Sequence, residues 1–303
     1  MILAEGVWRS LADAHAGAVD ALAAAHVARR QRGIKHPVED FLWTYYSYRP
    51  ALLRRWHPGP GVVLEGASEH ADWRYYRAVP GGVSLDLEGF LAERGDTVRF
   101  VRRLLAATAS RPAQWSCFGL HEWAMVYRTT PDQVRHVGWP LRLGHEGTDA
   151  VVEASSLRCT HFDAFRFFTP DAVGRNALAP TRERQVSLEQ PGCLHAVMDL
   201  YKWSYKLVPA VPSSLVMEVL SVAREARELD MRAAPYDLAA LGVEPIRIET
   251  PEGKAEYVAE QRRIAGLGEV MRGRLVAALD ALVGDRQIST DTVSTAVPRT
   301  SGE

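Results

Sequence analysis

Apolar residues recur at three- and four-residue steps over long stretches of this chain. Leu11, Ala14, Ala18, Leu22 and Ala25 mark one side of residues 3–32, the signature of an amphipathic helix. The same period covers 86–110, with a break expected at Gly95-Asp96. It returns over 213–231, where Leu215, Val219 and Val222 face inward behind a capping serine. Residues 251–284 form the longest helical stretch. Thr-Pro marks three helix starts, at 130–131, 169–170 and 250–251. Threonine accepts from a free amide of the first turn, and proline at the first helical position loses no hydrogen bond. Gln133, three residues after Thr130, completes a capping-box spacing.

Between these stretches the period shortens to two. WPLRLG (139–144) and TDAVVEAS (148–155) alternate around a His-Glu-Gly-Thr connection, which predicts a hairpin. LRCTHFDAF (157–165) adds a third strand and EPIRIE (244–249) a fourth. The fold class expected is α+β, mostly α-helical with a small antiparallel β-sheet. Residues 1–285 are expected as a single compact domain or two tightly joined lobes. The Gly- and Pro-rich stretch 57–83 reads as a mobile loop able to cover a site, and 286–303, rich in Ser and Thr, as a disordered tail.

Composition narrows the function. Thirty-six basic residues balance 37 acidic ones, for a net charge of −1, which argues against a strongly cationic DNA-coating protein. Only four of the basic residues are lysines (Lys35, Lys202, Lys206 and Lys254), so arginine supplies the rest. Three cysteines without a C-x-x-C pair make neither a disulfide framework nor an ordinary zinc knuckle. The opening residues lack the pattern of a secretion signal, and no run approaches the roughly 20 apolar residues of a membrane span. A cytoplasmic setting is therefore expected. No G-x-G-x-x-G, phosphate-binding loop or G-x-S-x-G elbow is present.

Four blocks are polar where the pattern predicts burial. KHPVEDFLWTYYSYRP (35–50) concentrates Trp43, Tyr45, Tyr46, Tyr48 and Arg49, aromatics able to stack on a planar ligand beside a cation. CFGLHEWAMVYR (117–128), taken as a helix, puts Cys117, His121 and Arg128 near one face and Glu122 beside them. CTHFDAFRFF (159–168), taken as a strand, puts Cys159, His161 and Asp163 on one face, where a carboxylate can orient the imidazole or act as a base. EQPGCLHAVMDLYKWSYKL (189–207), a helix expected from near Pro191, aligns His195, Asp199, Lys202 and Lys206 beside a stripe of Leu194, Met198, Tyr201 and Tyr205. Each cysteine precedes a histidine. The bland alternative throughout is a core with a few well-paired polar guests, the thiols acting as small apolar groups. ELDMRAAPYDL (228–238) adds Asp230, Arg232, Tyr236 and Asp237, either as ligand contacts or as an interhelix connection.

The blocks HPVEDFLWTYYSYRPALLRRWHPGPGVVL, HEWAMVYR, CTHFDAFRFF and EQPGCLHAVMDLYKW resemble proteins of GC-rich bacteria labelled 3-methyladenine DNA glycosylases, over nearly the whole chain. The resemblance implies hydrolysis of an N-glycosidic bond in alkylated DNA, with no cofactor. The damaged base would be flipped out and stacked, and a carboxylate would stabilise the positive charge that develops. On that reading Asp163, His161, Asp199 and Glu122 are the catalytic candidates. Tyr45, Tyr46, Tyr48, Arg49, Trp203, His195 and Lys202 are the substrate-binding candidates, and Arg54 and Arg55 would hold phosphate. The chain departs from the best-known helical glycosylases in lacking a helix-hairpin-helix followed by a catalytic aspartate. Residue chemistry alone supports a second reading, an enzyme that acts on a small molecule through a divalent transition metal. Its ligand pool is His121, Glu122, His161, Asp163, His195 and Asp199. A third is a non-catalytic small-molecule binding protein with an aromatic cage.

Overall fold

The computed structural model describes residues 1–130 and 138–284. In chain order its helices are α1 (Glu5–Gln31), α2 (Phe41–Tyr45), α3 (Pro50–Leu53), α4 (Ser68–Ala71), α5 (Leu87–Ala109), α6 (Leu120–Ala124) and α7 (Gly144–Glu153). They continue with α8 (Phe162–Phe165), α9 (Pro170–Val173), α10 (Gln185–Leu188), α11 (Leu194–Lys206), α12 (Ser213–Arg232) and α13 (Pro251–Val283). The strands are β1 (Ile2–Leu3), β2 (Val63–Leu64), β3 (Tyr76–Val79) and β4 (Gly82–Leu85). The class is the expected one, α+β and mostly helical with a small sheet. No helix among the described residues is long and apolar enough to cross a membrane.

The long helices fall where the 3.6 period places them. α5 runs unbroken through Gly95, because an interior glycine costs only about 1 kcal/mol against the burial of Phe90, Val98, Val101, Leu104 and Leu105. Thr250 and Thr169 cap as expected, accepting from the amides of Gly253 and Ala172. Ser213 does not cap α12, whose N-cap is Pro212. Its hydroxyl instead accepts the His57 amide at 2.9 Å and donates to the Arg55 carbonyl at 3.2 Å, tying the 55–57 turn to the start of that helix. Pro131 and Gln133 lie outside the described residues, as does the tail beyond 284.

The sheet is not where the period of two places it. Residues 144–153 form α7, because Thr148 and Val152, one helical turn apart, are the buried positions of that stretch. The alternation of TDAVVEAS satisfies both periods, and a short apolar run does not choose between them. The stretches expected as strands around 141 and 157 contribute only isolated bridges, Leu141 to Tyr236 and Leu157 to Asn176. Residues 162–165 form α8, and 244–249 form no strand. The observed sheet has the order β1-β2-β4-β3 and is mixed, since β1 pairs with β2 in parallel. Most of it lies in 57–83, the stretch expected as a loop, which holds β2, β3 and the first residues of β4. Gly82 is required there: at φ 147° any Cβ would lie 2.1 Å from the Leu64 carbonyl oxygen. Trp8 of α1 closes one face of this sheet with Leu64, Tyr76 and Val83, and its indole N–H donates to the Glu65 carbonyl at 2.8 Å.

The main core forms around α11, which packs against α12 and α13, while α13 also packs on α5. Every residue from Leu194 to Ser204 is buried. A helix enclosed on all sides must pair any polar group that it carries. Among the polar groups in the buried part of α11 are His195, Asp199 and Lys202, and these organise the site.

Candidate metal centre

His195 and Asp199 project from one face of α11, four residues apart. α6 brings His121 against them. Gly119, at φ 70°, turns the chain into this short helix, with Ala233 3.1 Å from where its Cβ would stand. The Trp123 indole donates to the Ala233 carbonyl at 2.8 Å and pins α6 to the end of α12. α12 supplies Arg227 and Asp230 from its last turns. His161 arrives on extended chain as the residue before α8. Asn176 holds that chain by accepting from the Cys159 amide at 2.7 Å and donating to its carbonyl at 3.0 Å. Glu189 closes α10, with its backbone carbonyl held by Arg111 at 2.8 Å.

Among the described residues two buried triads of ligand-type atoms result, His121/His195/Asp230 and His161/Glu189/Asp199. Within each, the atoms lie within 4.8 Å of one another. In the first, His121 Nε2 is 2.8 Å from Asp230 Oδ1. The two atoms form a buried ion pair. The His195 ring stands edge-on to His121, centroids 4.5 Å apart. Asp230 Oδ2 accepts from Arg227 at 3.0 Å, and Arg227 also reaches Glu122 Oε1 at 3.2 Å. Cys117 Sγ lies 3.6 Å from His121 Nδ1.

Burial opposes charge on His121, but the Asp230 carboxylate overrides it and raises the imidazole well above its usual value. Burial likewise opposes ionisation of Asp230, and His121 beside it holds the carboxyl well below the usual range. His195 goes the other way: burial, reinforced by His121, depresses it strongly, so its ring is neutral with a lone pair available.

In the second triad His161 Nε2 stands 3.3 Å from Glu189 Oε1 and 3.4 Å from Asp199 Oδ2. The carboxylates are otherwise well served. Gln185 donates to Glu189 Oε1 at 2.6 Å, Tyr46 OH to Asp199 Oδ1 at 2.8 Å and Lys202 Nζ to Asp199 Oδ2 at 2.7 Å. Burial raises Glu189. For Asp199 burial is outweighed by Lys202 and then His161, which keep it ionised. The His161 and His195 rings are 5.3 Å apart, so the two triads adjoin through their histidines.

Two cavities flank His195. One, about 10 Å³, lies on the cysteine side and is lined by Cys117, Cys159, Cys193, His121 and Gln261. The other, about 30 Å³, is lined by Phe41, Tyr45, Glu122, Met125, Asp163 and Arg227 with His195. These volumes suit one to a few water molecules.

The structure brings together His121, His161, His195 and Asp199 from the expected ligand pool and leaves two members out. Glu122 pairs with Arg227. Asp163 does not share a strand face with Cys159 and His161, because α8 begins at residue 162. It is bound instead by Lys202 Nζ at 3.0 Å, Arg166 at 3.1 Å and Arg182 at 3.5 Å. Asp230 and Glu189 take their places. Arg128 is exposed, with φ 54°, and pairs with Glu153 rather than joining His121, because the helix of block 117–128 spans only 120–124. The helix expected from Pro191 starts at Leu194, after a turn.

Of the aromatics, Tyr46 reaches the site through Asp199, and Tyr45 lines the larger cavity, stacked on Phe41 at 4.9 Å and accepting from Arg166 at 3.0 Å. Tyr48 stacks on Tyr205 at 4.5 Å. Trp203 packs edge-on against Phe100, under the ammonium groups of Lys202 and Lys206. Arg49 is exposed at the start of α3, Arg54 pairs with Asp20 and Arg55 lies over Trp73; none of the three lines either cavity. In comparisons with known proteins, no family model, no curated protein and no solved structure matches this chain.

Proposed function

We propose that this chain is a metal-dependent enzyme that holds a divalent first-row transition ion between His121, His195 and Asp230. Its substrate is a small molecule that approaches through the cavity beside Phe41, Tyr45 and Met125. One observation carries the reading: the ligand-type atoms of His121, His195 and Asp230 are buried and lie within 4.8 Å of one another. Donors bound at about 2.0–2.2 Å to one tetrahedral or octahedral ion stand roughly 2.8–3.6 Å apart, and the 2.8 Å between His121 Nε2 and Asp230 Oδ1 is compatible with that spacing. Two imidazoles and a carboxylate suit iron(II) or zinc(II) and leave positions for water and substrate. Arg227, on the other Asp230 oxygen, orients that carboxylate as an outer partner does in metal sites.

Elemental analysis of the full chain, purified without added metal, tests this. At least one transition ion per chain is expected, with a melting temperature that falls on chelation and recovers on adding Fe(II) or Zn(II). Less than about a tenth of an equivalent, with no recovery, would overturn it.

The N-glycosidic hydrolase reading keeps the support of the four resembling blocks. The geometry adds less to it, since Asp163 is already neutralised by Lys202, Arg166 and Arg182. Release of free base from alkylated duplex DNA is its test.

A further inference from the structure

We infer that the centre holds two ions, the second between His161, Glu189 and Asp199, adjoining the first where the His161 and His195 rings meet. The inference rests on the metal-dependent reading and extends it. The helix α11 gives one ligand to each triad, and side chains four apart on a helix lean toward one another across one 5.4 Å turn. Paired ions in two-metal sites sit about 3.5–4 Å apart, so adjoining ligands one turn apart are the expected arrangement.

The second triad shows the ligand spacing of the first. His161 Nε2 lies 3.3 and 3.4 Å from two carboxylate oxygens, inside the roughly 2.8–3.6 Å expected of ligands sharing one ion. Both of its ring nitrogens are buried.

Glu189, Asp199 and Asp163 are buried together, with Lys202 bound to Asp163 and Asp199 and the buried Arg272 guanidinium acting on Glu189.

The larger cavity is walled by His195 of the first triad and by Asp163, which shares Lys202 with Asp199 of the second. The ligand class implied is a small molecule with an oxygen donor able to bridge two divalent ions.

The test titrates the chelator-treated full chain with MnCl2, counting bound manganese after desalting and recording its electron paramagnetic resonance spectrum. Asp230→Asn and Glu189→Gln are run alongside, with circular dichroism to confirm folding. Expected are two ions per wild-type chain with an exchange-coupled spectrum, and one uncoupled ion in each variant. One ion per chain, lost in Asp230→Asn and kept in Glu189→Gln, overturns the second site and leaves the proposed function standing. Two ions retained by both variants overturns the ligand assignment. No bound ion overturns both readings. The wild-type spectrum decides between one ion and two even where a variant fails to fold.

Discussion

His195 and Asp199 stand one turn apart on the enclosed helix α11, yet each belongs to a different triad. His195 meets His121 and Asp230, while Asp199 meets His161, Glu189 and Lys202. One helix therefore sets the spacing of the whole centre. A buried polar face of this kind is expensive to build and is expected to respond sharply to single changes.

Replacing Asp230 by Asn keeps the side chain's shape and removes its charge. Metal affinity should fall by more than about 100-fold, beyond the range seen for residues that merely support a ligand. Competition with a chelating dye measures it. An affinity unchanged within threefold would exclude Asp230 as a ligand.

Lys202 neutralises two buried carboxylates, Asp163 and Asp199. Lys202→Met should destabilise the fold by roughly 3–5 kcal/mol, the cost of leaving a buried pair without one partner. Adding Asp163→Asn should recover part of that loss, because the two residues touch and their effects are not additive. Urea unfolding of the two single variants and the double variant gives the coupling. Strict additivity would mean that the ammonium is not acting on Asp163.

His57 supplies a pH dependence away from the centre. It is buried against Tyr76 and Trp73, with Nδ1 3.0 Å from the Tyr76 hydroxyl. Burial first, then the neighbouring His70 and Arg55, lowers it from 6.5 to about 3. The unfolded chain therefore takes up this proton before the folded one does. The His57 contribution is fully present above pH 6.5 and declines as pH falls toward 3, by up to about 5 kcal/mol. The stability gap between the wild type and His57→Gln should shrink steadily across that window in denaturant titrations. A gap that is constant with pH would contradict the depressed imidazole.

At the start of α13 the Thr250 hydroxyl accepts from the Gly253 amide at 3.0 Å. Thr250→Ala should cost about 1 kcal/mol, within the 0.5–2 range of lost caps. Gly253→Ala should cost more, because its Cβ would lie 2.0 Å from the Arg247 carbonyl oxygen. Thermal unfolding ranks the two, and the reverse order would contradict this packing.

Long elements were legible in the sequence because their period repeats many times; α1, α5, α12 and α13 lie within about two residues of the positions their apolar spacing predicts. The sheet was not, since β1 and β2 are each two residues long, and β2, β3 and the start of β4 lie in a Gly- and Pro-rich stretch that offers no alternation to count. Four of the six triad residues were visible as buried polar positions beside aromatics. Asp230 was readable too, because it extends the inward stripe of Val219, Ala223 and Ala226 at four-, three- and four-residue steps. Glu189 was not, as it closes a four-residue helix before the Pro191-Gly192 turn, and no period reaches it. The pairing of Lys202 with Asp163, 39 positions apart, depends on a tertiary contact that spacing along the chain does not carry.

The most direct test of the central claim is anomalous diffraction from crystals of the full chain, collected on either side of the absorption edge of the bound metal. The metal-dependent reading predicts a peak about 2.0–2.2 Å from a ring nitrogen of His121, a ring nitrogen of His195 and a carboxylate oxygen of Asp230. Crystals grown with Fe(II) or Zn(II) that show no anomalous peak within bonding distance of these three residues would contradict it.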